Sequence, residues 1–335
     1  MSHTDSAPRV ATAVAHANIA LIKYWGKRDP GLNLPAVGSL SITLQALETR
    51  TTIAFEPGLD RDRVWLNGRE AGAGAERVTA TLDLLRVAAG RDDRARVRSS
   101  NNFPTAAGLA SSASGFAALV VAADAALGLS LPPARLSEYA RRGSGSAARS
   151  IFGGFAEMAR GERADGADAV AAPLLEPEDW DLRAVIALTD RGAKQQGSTG
   201  GMALTASSSP YFADWVEGQE SDLRAARRAV EARDFERLAE LSEWSCLKMH
   251  ATAMAAHPGI VYWNGATVEA LHRVRALRAA GEAVFFTIDA GPQLKAICLP
   301  EAVDTVARAL GEIPGVLEVL PSRLGGPARV VSGDE

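Results

Sequence analysis

Residues 104–114 read PTAAGLASSAS and run without a break into the apolar stretch ASGFAALVVAADAALG. This junction constrains the fold most, because a loop of small residues opens a strongly helical segment. Pro104 stops whatever precedes it, and Gly108 admits backbone conformations closed to other residues. The following stretch is rich in helix formers, groups Phe116, Leu119, Val120 and Ala123 on one face, and stops at Gly128. Ser111 and Ser112 therefore stand where the helix begins. A helix N-terminus offers unpaired N–H groups and a partial positive charge, and small side chains let an oligophosphate approach them. A serine hydroxyl there can reach a phosphate oxygen or a metal ion. The alternative is a Ser112 that merely caps the helix. The loop matches neither GxxxxGKS/T nor GxGxxG, which disfavours ordinary P-loop and dinucleotide sites.

Around this junction, residues 11–22, 50–56 and 63–67 have strand-like apolar patterns. Residues 75–88 read as an amphipathic helix carried by Val78, Leu82, Leu85 and Val87. A second helix begins after Pro132-Pro133 and is interrupted by RRGSGSAARS. The acidic stretch LLEPEDWD, 174–181, precedes a strand RAVIAL, and the expected division into 1–180 and 181–335 lies there. The second half reads as a helical region 213–256 broken near Asp234, a helix at 264–279, a strand at 283–288 and a turn DAGP. A strand LKAICL, a helix at 301–311 and a strand VLEVLP follow. Strands and helices interleave without regular βαβ spacing, so the expected class is α+β.

The net charge of −4 over 335 residues provides no general basic surface, so nucleic acid is not an expected partner. An anionic substrate would need a local cluster of cations and N–H groups. Cys246 and Cys298 are far apart and suit a reducing cytosol. The N-terminus lacks signal-peptide order and no apolar run is long enough for a bilayer, so the reading is cytoplasmic, with no membrane partner. The five histidines, including His16 and His250, show no metal-binding spacing.

Three further segments could carry chemistry. NIALIKYWGKRD, 18–29, brings Lys23, Lys27 and Arg28 beside Tyr24 and Trp25. Lys23 and Tyr24 should point oppositely unless the strand ends there. Lys27, after Gly26, can reach a phosphate from a loop, but a solvated basic strand end is the simpler reading. RRGSGSAARS joins Ser144 and Ser146 to Arg149, whose fork suits a carboxylate. It could equally be a Gly-Ser loop with a surface arginine. TIDAGP puts Asp289 after an apolar strand, either as a turn residue or as a group that orients or deprotonates a hydroxyl attacking a γ-phosphate. A third small-residue run, AKQQGSTGGM, carries Lys194 near its start and by itself could be any loop.

Together HANIALIKYWGKRD, LNLPAVGSLSITL, RVWLNG, NNFPTAAGLASSASG, ARRGSGSAARSIFGGF, GSTGGM and TIDAGP resemble the mevalonate diphosphate decarboxylases of the GHMP kinase superfamily, in the family's order from residue 16 to about 292. Ala110 stands where the superfamily's kinases usually carry glycine. The resemblance implies a two-domain GHMP-kinase-like α+β fold with the active site in the cleft between domains. It also implies ATP and Mg²⁺ as cofactors, mevalonate 5-diphosphate as substrate and a homodimer. The implied catalytic residues are Asp289, Lys27, Arg149 and Asn18, with Asn18 positioning Asp289 or the substrate. Tyr24, Lys27, Ser144, Ser146, Arg149, Ser198 and Met202 would bind substrate. Gly108, Ala110, Ser111, Ser112 and Asn102 would hold ATP, with Trp65 and Asn67 on the adenine side and Ser112 at the metal.

Two departures keep other readings open. Gln293 follows DAGP where the family commonly has Asn, and Thr199 follows the serine of GSTGGM where some members have Arg. A decarboxylase of mevalonate 5-phosphate, a kinase that does not decarboxylate, and a catalytically silent binding protein are the alternatives.

Overall fold

The computed structural model describes residues 9–332, apart from 73, 105–107 and 193–194. Strands β1 (Arg9–Ile22), β2 (Lys27–Asp29), β3 (Leu34–Pro35), β4 (Ser39–Glu56), β5 (Arg63–Leu66) and β6 (Arg69–Glu70) lead to helix α1 (Gly74–Ala89) and β7 (Arg94–Asn101). Helices α2 (Ser111–Leu127) and α3 (Pro133–Gly143), a 3-10 helix (Gly145–Ile151), β8 (Phe155–Met158) and β9 (Ala171–Leu175) follow. Next come β10 (Arg183–Leu188), α4 (Ser198–Ser208), α5 (Phe212–Glu231), α6 (Phe235–Met254) and α7 (Gly265–Ala279). The chain closes with β11 (Val284–Ile288), β12 (Leu294–Cys298), α8 (Val303–Gly311), β13 (Glu318–Arg323) and β14 (Arg329–Val331).

An eight-stranded sheet runs β14-β1-β4-β7-β5-β6, with β8 on β4 and β9 on β8. The long β4 serves two partners, β8 through Ser39–Ile42 and β7 through Thr49–Glu56. A four-stranded antiparallel sheet runs β11-β12-β10-β13. The α+β expectation is met.

Among the described residues, three apolar cores are the largest. One lies under α1–α3, one between the two sheets with α5 and α6, and one between the second sheet and α7 and α8. Strand β1 contributes to two of them. Ala13 and Ala15 pack under α2, whereas Ala17, Ile19 and Leu21 pack between the sheets. The pairing of β1 with β4 shifts register between His16 and Asn18, and such a bulge re-aims the side chains beyond it. His16 consequently lines a polar cavity with Glu48, Arg183, Arg323 and Arg329, while Asn18 lines a different one.

Most helix boundaries follow from local chemistry. Gly128, at φ 67, ends α2 while its N–H and that of Leu129 bond to Ala125 and Asp124 carbonyls. The break near Asp234 is a cap, its carboxylate accepting from the Arg237 N–H at 3.0 Å. Asn264 and Thr267 cap α7 reciprocally. In α1, Leu82 and Leu85 are fully buried but Val87 is 82% exposed. Positions 78, 82 and 85 share a helix face, and residue 87 lies about 200° beyond 85, so its inclusion in the apolar face is corrected.

Two elements depart from the sequence reading. Residues 94–101, for which the sequence pattern raises no strand expectation, form β7, where Ala95 and Val97 are buried between arginines that obscure the alternation. GSTGGM, read as loop, opens α4. Gly200 and Gly201 lower helix propensity, but a Cβ on Gly201 would stand 2.4 Å from the Tyr262 hydroxyl. Close packing selects glycine there.

Candidate active site

Strand β1 ends at Ile22, so Lys23 and Tyr24 escape strict alternation. The backbone beyond it is held by helices of the second half. Ser245 Oγ accepts from the Lys23 N–H at 3.0 Å, Gln219 Nε2 donates to the Lys23 carbonyl at 2.8 Å, and Trp215 Nε1 donates to the Trp25 carbonyl at 3.0 Å. These contacts send the Lys23 side chain inward, 1% exposed, with Nζ 2.6 Å from Asp289 Oδ1. Sequence reasoning gave Lys23 no role, because where a strand ends is set by the partners waiting there.

Asp289 follows β11 and keeps 22% of its side chain open at the cavity floor. Lys295 Nζ lies 3.8 Å from its Oδ2. Burial pushes the carboxyl up, but Lys23, Lys295 and Arg149 together outweigh it and hold the pKa at about 2. The group is a fixed anion at neutral pH.

Arg149 sits on the 3-10 helix, 2% exposed. Its Nη1 donates to Ser39 Oγ at 2.6 Å and its Nη2 to Asn18 Oδ1 at 3.1 Å. Asn18 in turn donates to the Ser146 carbonyl at 2.9 Å and to Ser150 Oγ at 2.7 Å. Asn18 was expected to position Asp289 or the substrate; it aims Arg149 instead. Burial lowers the Arg149 pKa to about 10, with Asp289 and Tyr24 opposing the shift, so the group stays cationic at neutral pH. Tyr24 packs against Gly145, where a Cβ would stand 2.2 Å from the phenol oxygen. Burial raises the Tyr24 pKa to about 12 against the pull of Arg149 and Arg141, keeping it a neutral donor.

These residues line one cavity of about 420 Å³, which also takes in Lys27, Arg77, Gly108, Ala110, Ser111, Ser112, Ser144, Ser146, Ser198, Thr199 and Met202. Its lining holds Lys23, Lys27, Arg77 and Arg149 against a single carboxylate, Asp289. Two helix N-termini add partial positive charge. Helix α2 starts after Ala110, and α4 after Gly197, neither with a side-chain cap. Ser112 is therefore not a capping residue; it lies within the first turn, where its hydroxyl accepts from Ser144 Oγ at 3.2 Å. Ala110 takes φ 57, in the left-handed region that glycine adopts freely. The molecule thus builds a local anion site against its net charge.

Ser111, Ser112 and Arg77 also line an adjoining cavity of about 220 Å³ with Trp65, Val64, Val78, Phe116 and Leu119. Arg63, Arg96 and Arg98 crowd the Trp65 ring, their guanidinium carbons 4.8, 5.8 and 6.0 Å from its centroid. Arg77, which joins both cavities, was not singled out from sequence, since an arginine in the first turns of an amphipathic helix reads as solvated.

Asn67 stands in the turn after β5, at φ 50, and its Oδ1 accepts from the Asn101 N–H at 2.9 Å. Neither cavity is lined by it. Asn102 is corrected: its side chain ties the Glu48 N–H to the Ala46 carbonyl and lines the cavity that contains His16. Gln293 also turns away. Its Oε1 accepts from the Thr189 N–H at 2.6 Å and its Nε2 donates to the Asp190 carbonyl at 2.6 Å, fully buried. The departure at Gln293 therefore braces a loop and lines no part of the cleft. His250 bonds through Nε2 to the Ile288 carbonyl, and burial holds its pKa near about 3, consistent with a structural role. Thr105–Ala107 of the phosphate loop and Lys194 lie outside the described residues. Among the described residues, no group of three or more His, Cys, Asp or Glu could hold a metal ion.

Two large sheets, a loop that opens an uncapped helix on the cleft, and a cation-lined cavity with one carboxylate among the described residues fit an ATP-using α+β fold of the GHMP kinase type. Residues 15–171 match the family model described as the diphosphomevalonate decarboxylase-like N-terminal domain, and 184–320 the mevalonate 5-diphosphate decarboxylase C-terminal domain. Human diphosphomevalonate decarboxylase is 38% identical over 312 residues, covering 87% of this chain and 77% of the human one. The crystal structure of mevalonate diphosphate decarboxylase from Staphylococcus aureus superposes with a TM-score of 0.90 at 36% identity, covering 97% of this chain and 98% of that one. A structure of MDDEF in complex with MVAPP, AMPPCP and magnesium superposes at 0.89 with 38% identity, covering 97% and 99%. The chain belongs to the mevalonate diphosphate decarboxylase family.

Proposed function

We propose that the cleft catalyses ATP-dependent decarboxylation of mevalonate 5-diphosphate to isopentenyl diphosphate, with ADP, phosphate and CO₂ as the other products. The observation that carries the reading is the fixed anion Asp289 on the floor of a cavity whose other charged lining is cationic. A relative has been solved with MVAPP, AMPPCP and magnesium together. The residues here fit such ligands. The apolar pocket at Trp65 suits the adenine, and Ser111 and Ser112 at the start of α2 lead from it into the cleft. Mg²⁺ brought in with the nucleotide would find the Ser112 hydroxyl at the start of α2, and would supply charge neutralisation for the phosphates, since Mg²⁺ needs few protein ligands at such sites.

In this reading Arg149 holds the C1 carboxylate, its fork already aimed by Asn18 and Ser39. Asp289 faces the C3 hydroxyl and orients it toward the γ-phosphate; as the new O–P bond forms and the bond to ADP breaks, the hydroxyl proton passes to an oxygen of the transferred phosphate. Phosphorylation turns a poor leaving group into a good one. As phosphate leaves, positive charge develops at C3, and the carboxylate electrons collapse into it as CO₂ departs. A permanently ionised Asp289 favours that charge electrostatically. Lys27, Tyr24, Ser144, Ser146, Ser198 and Met202 take the diphosphate end. The buried Tyr24 hydroxyl has no hydrogen-bond partner among the described residues.

The division at 180/181 is supported by the sheets. The first draws on residues 9–175 and the second on 183–323, while β14 returns to the first. We take the assembly to be a cytoplasmic homodimer, as the family resemblance implies. The deciding experiment measures ATP- and Mg²⁺-dependent CO₂ release from C1-labelled mevalonate 5-diphosphate and 5-phosphate beside ADP formation. Release from the diphosphate is expected. Preference for the monophosphate, or ADP without CO₂, would overturn the assignment.

A further inference from the structure

Lys295 is the second residue of β12, in the sheet between β10 and β11, and is fully buried. Its neighbours on alternate positions, Leu294, Ala296 and Cys298, pack toward α7 and α8, while Ile297 packs between the sheets. Alternation therefore sends Lys295 across the molecule, toward the first half. Burying an ammonium group costs several kcal/mol unless it is paired and hydrogen-bonded (about that order in proteins), so its partners define its purpose.

Those partners belong to the two reacting sides of the cleft. Lys295 Nζ donates to the Gly108 carbonyl at 3.0 Å and lies 3.8 Å from Asp289 Oδ2. Gly108 belongs to the phosphate loop and takes φ +79; a Cβ there would meet Gly291 Cα, in the turn after Asp289, at 3.0 Å. The loop and the turn thus abut, and one cation bridges them. We propose that Lys295 is a positioning residue that locks the phosphate loop in register with Asp289. Phosphoryl transfer depends on the alignment of donor phosphate and acceptor hydroxyl, and small misplacements are costly. Lys23 already serves the other carboxylate oxygen, which frees Lys295 to serve the loop. This inference rests on the ATP-dependent reading of the cleft.

The test uses the full chain with Lys295→Met and Lys295→Gln. Methionine keeps the volume and removes both contacts; glutamine keeps a donor for the Gly108 carbonyl and removes the charge. For each, melting temperature, kcat, KM for ATP and for mevalonate 5-diphosphate, and Kd for the ATP analogue AMPPCP are measured. Lys295→Met should raise KM for ATP and Kd for AMPPCP about tenfold and lower kcat about 10- to 100-fold, with KM for the diphosphate moving less than about threefold, an order typical of lost positioning. Lys295→Gln should recover most of the nucleotide affinity and little of kcat. A merely structural lysine would lower melting temperature and active fraction while leaving both KM values and the AMPPCP Kd in place; that result in a folded variant overturns the proposal. If Lys295→Met does not fold, Lys295→Gln decides by kcat per active site: a fall of about 10- to 100-fold at about the wild-type melting temperature upholds the proposal, and an unchanged kcat overturns it. If wild-type protein releases no CO₂, the fault lies with the reading of the function, and the AMPPCP Kd values still decide the role of Lys295.

Discussion

Replacing Lys23 by methionine separates the two influences on Asp289. Burial alone drives the carboxyl pKa up, and three cations bring it down to about 2. Against an ordinary value of about 3.9, that depression corresponds to roughly 2–3 kcal/mol favouring the anion. Because the folded pKa is the lower one, this contribution is fully present above about pH 4 and is lost as pH falls through about 2. Wild-type Asp289 should therefore produce no titration in activity between about pH 5 and 9. Lys23→Met removes the contact at 2.6 Å and leaves Lys295 at 3.8 Å and Arg149 farther off. With its nearest cation gone, burial is opposed only by Lys295 and Arg149, and the carboxyl pKa rises. Breaking a buried pair from one side costs about 3–5 kcal/mol, and we expect about 2–3 here because Lys295 remains. That corresponds to a fall in melting temperature of roughly 3–4 °C for a chain of this size. Steady-state kcat/KM, followed by ADP release across about pH 5–9, should gain an acidic limb that wild type lacks. A Lys23→Met variant with wild-type melting temperature and a superimposable pH profile would refute this account of Asp289.

Three other substitutions test the site more briefly. Asp289→Asn, nearly isosteric, should lower kcat on the order of 10²–10⁴-fold with KM for the diphosphate little changed; normal turnover would remove Asp289 from the chemistry. Gly145→Ala should force its Cβ into the Tyr24 hydroxyl, displacing Tyr24 and costing about 1–3 kcal/mol, read as weaker diphosphate binding and a lower melting temperature. Ala110→Gly relieves a left-handed alanine worth about 1–2 kcal/mol but adds unfolded-state entropy of about 0.5–1 kcal/mol, so thermal stability should hold or rise slightly. A clear loss of stability in that variant would mean that the Ala110 methyl makes a packing contribution larger than the strain.

The sequence by itself determined the local devices. PTAAGLASSAS before an alanine-rich run specifies a phosphate-accessible helix start, because small side chains and helix propensity act within a few residues. The family resemblance of TIDAGP, GSGSAAR and KYWGK led to the expectation that Asp289, Arg149, Ser144, Ser146, Tyr24 and Lys27 share one cleft, and the six line one cavity. The break at Asp234 and the stop at Gly128 are likewise local, fixed by hydrogen bonds spanning three to five residues.

Tertiary structure decided everything that depends on a distant partner. Lys23 turns inward because Ser245 and Gln219, more than 190 residues away, take up its backbone groups. Asn18 serves Arg149, and its separation from His16 onto another cavity follows from a register shift against β4. Lys295 reads as an ordinary strand residue until its partners at Gly108 and Asp289 are known. Asn102 and Gln293 could not be told from ligand-binding amides, because an amide side chain gives no sign of which carbonyl it will meet. Pairing of β14 with β1 closes the first sheet with residues from the far end of the chain. Propensity and capping act over a few residues, whereas burial, ion pairing and sheet register are set by whichever part of the chain fills the other side of the contact.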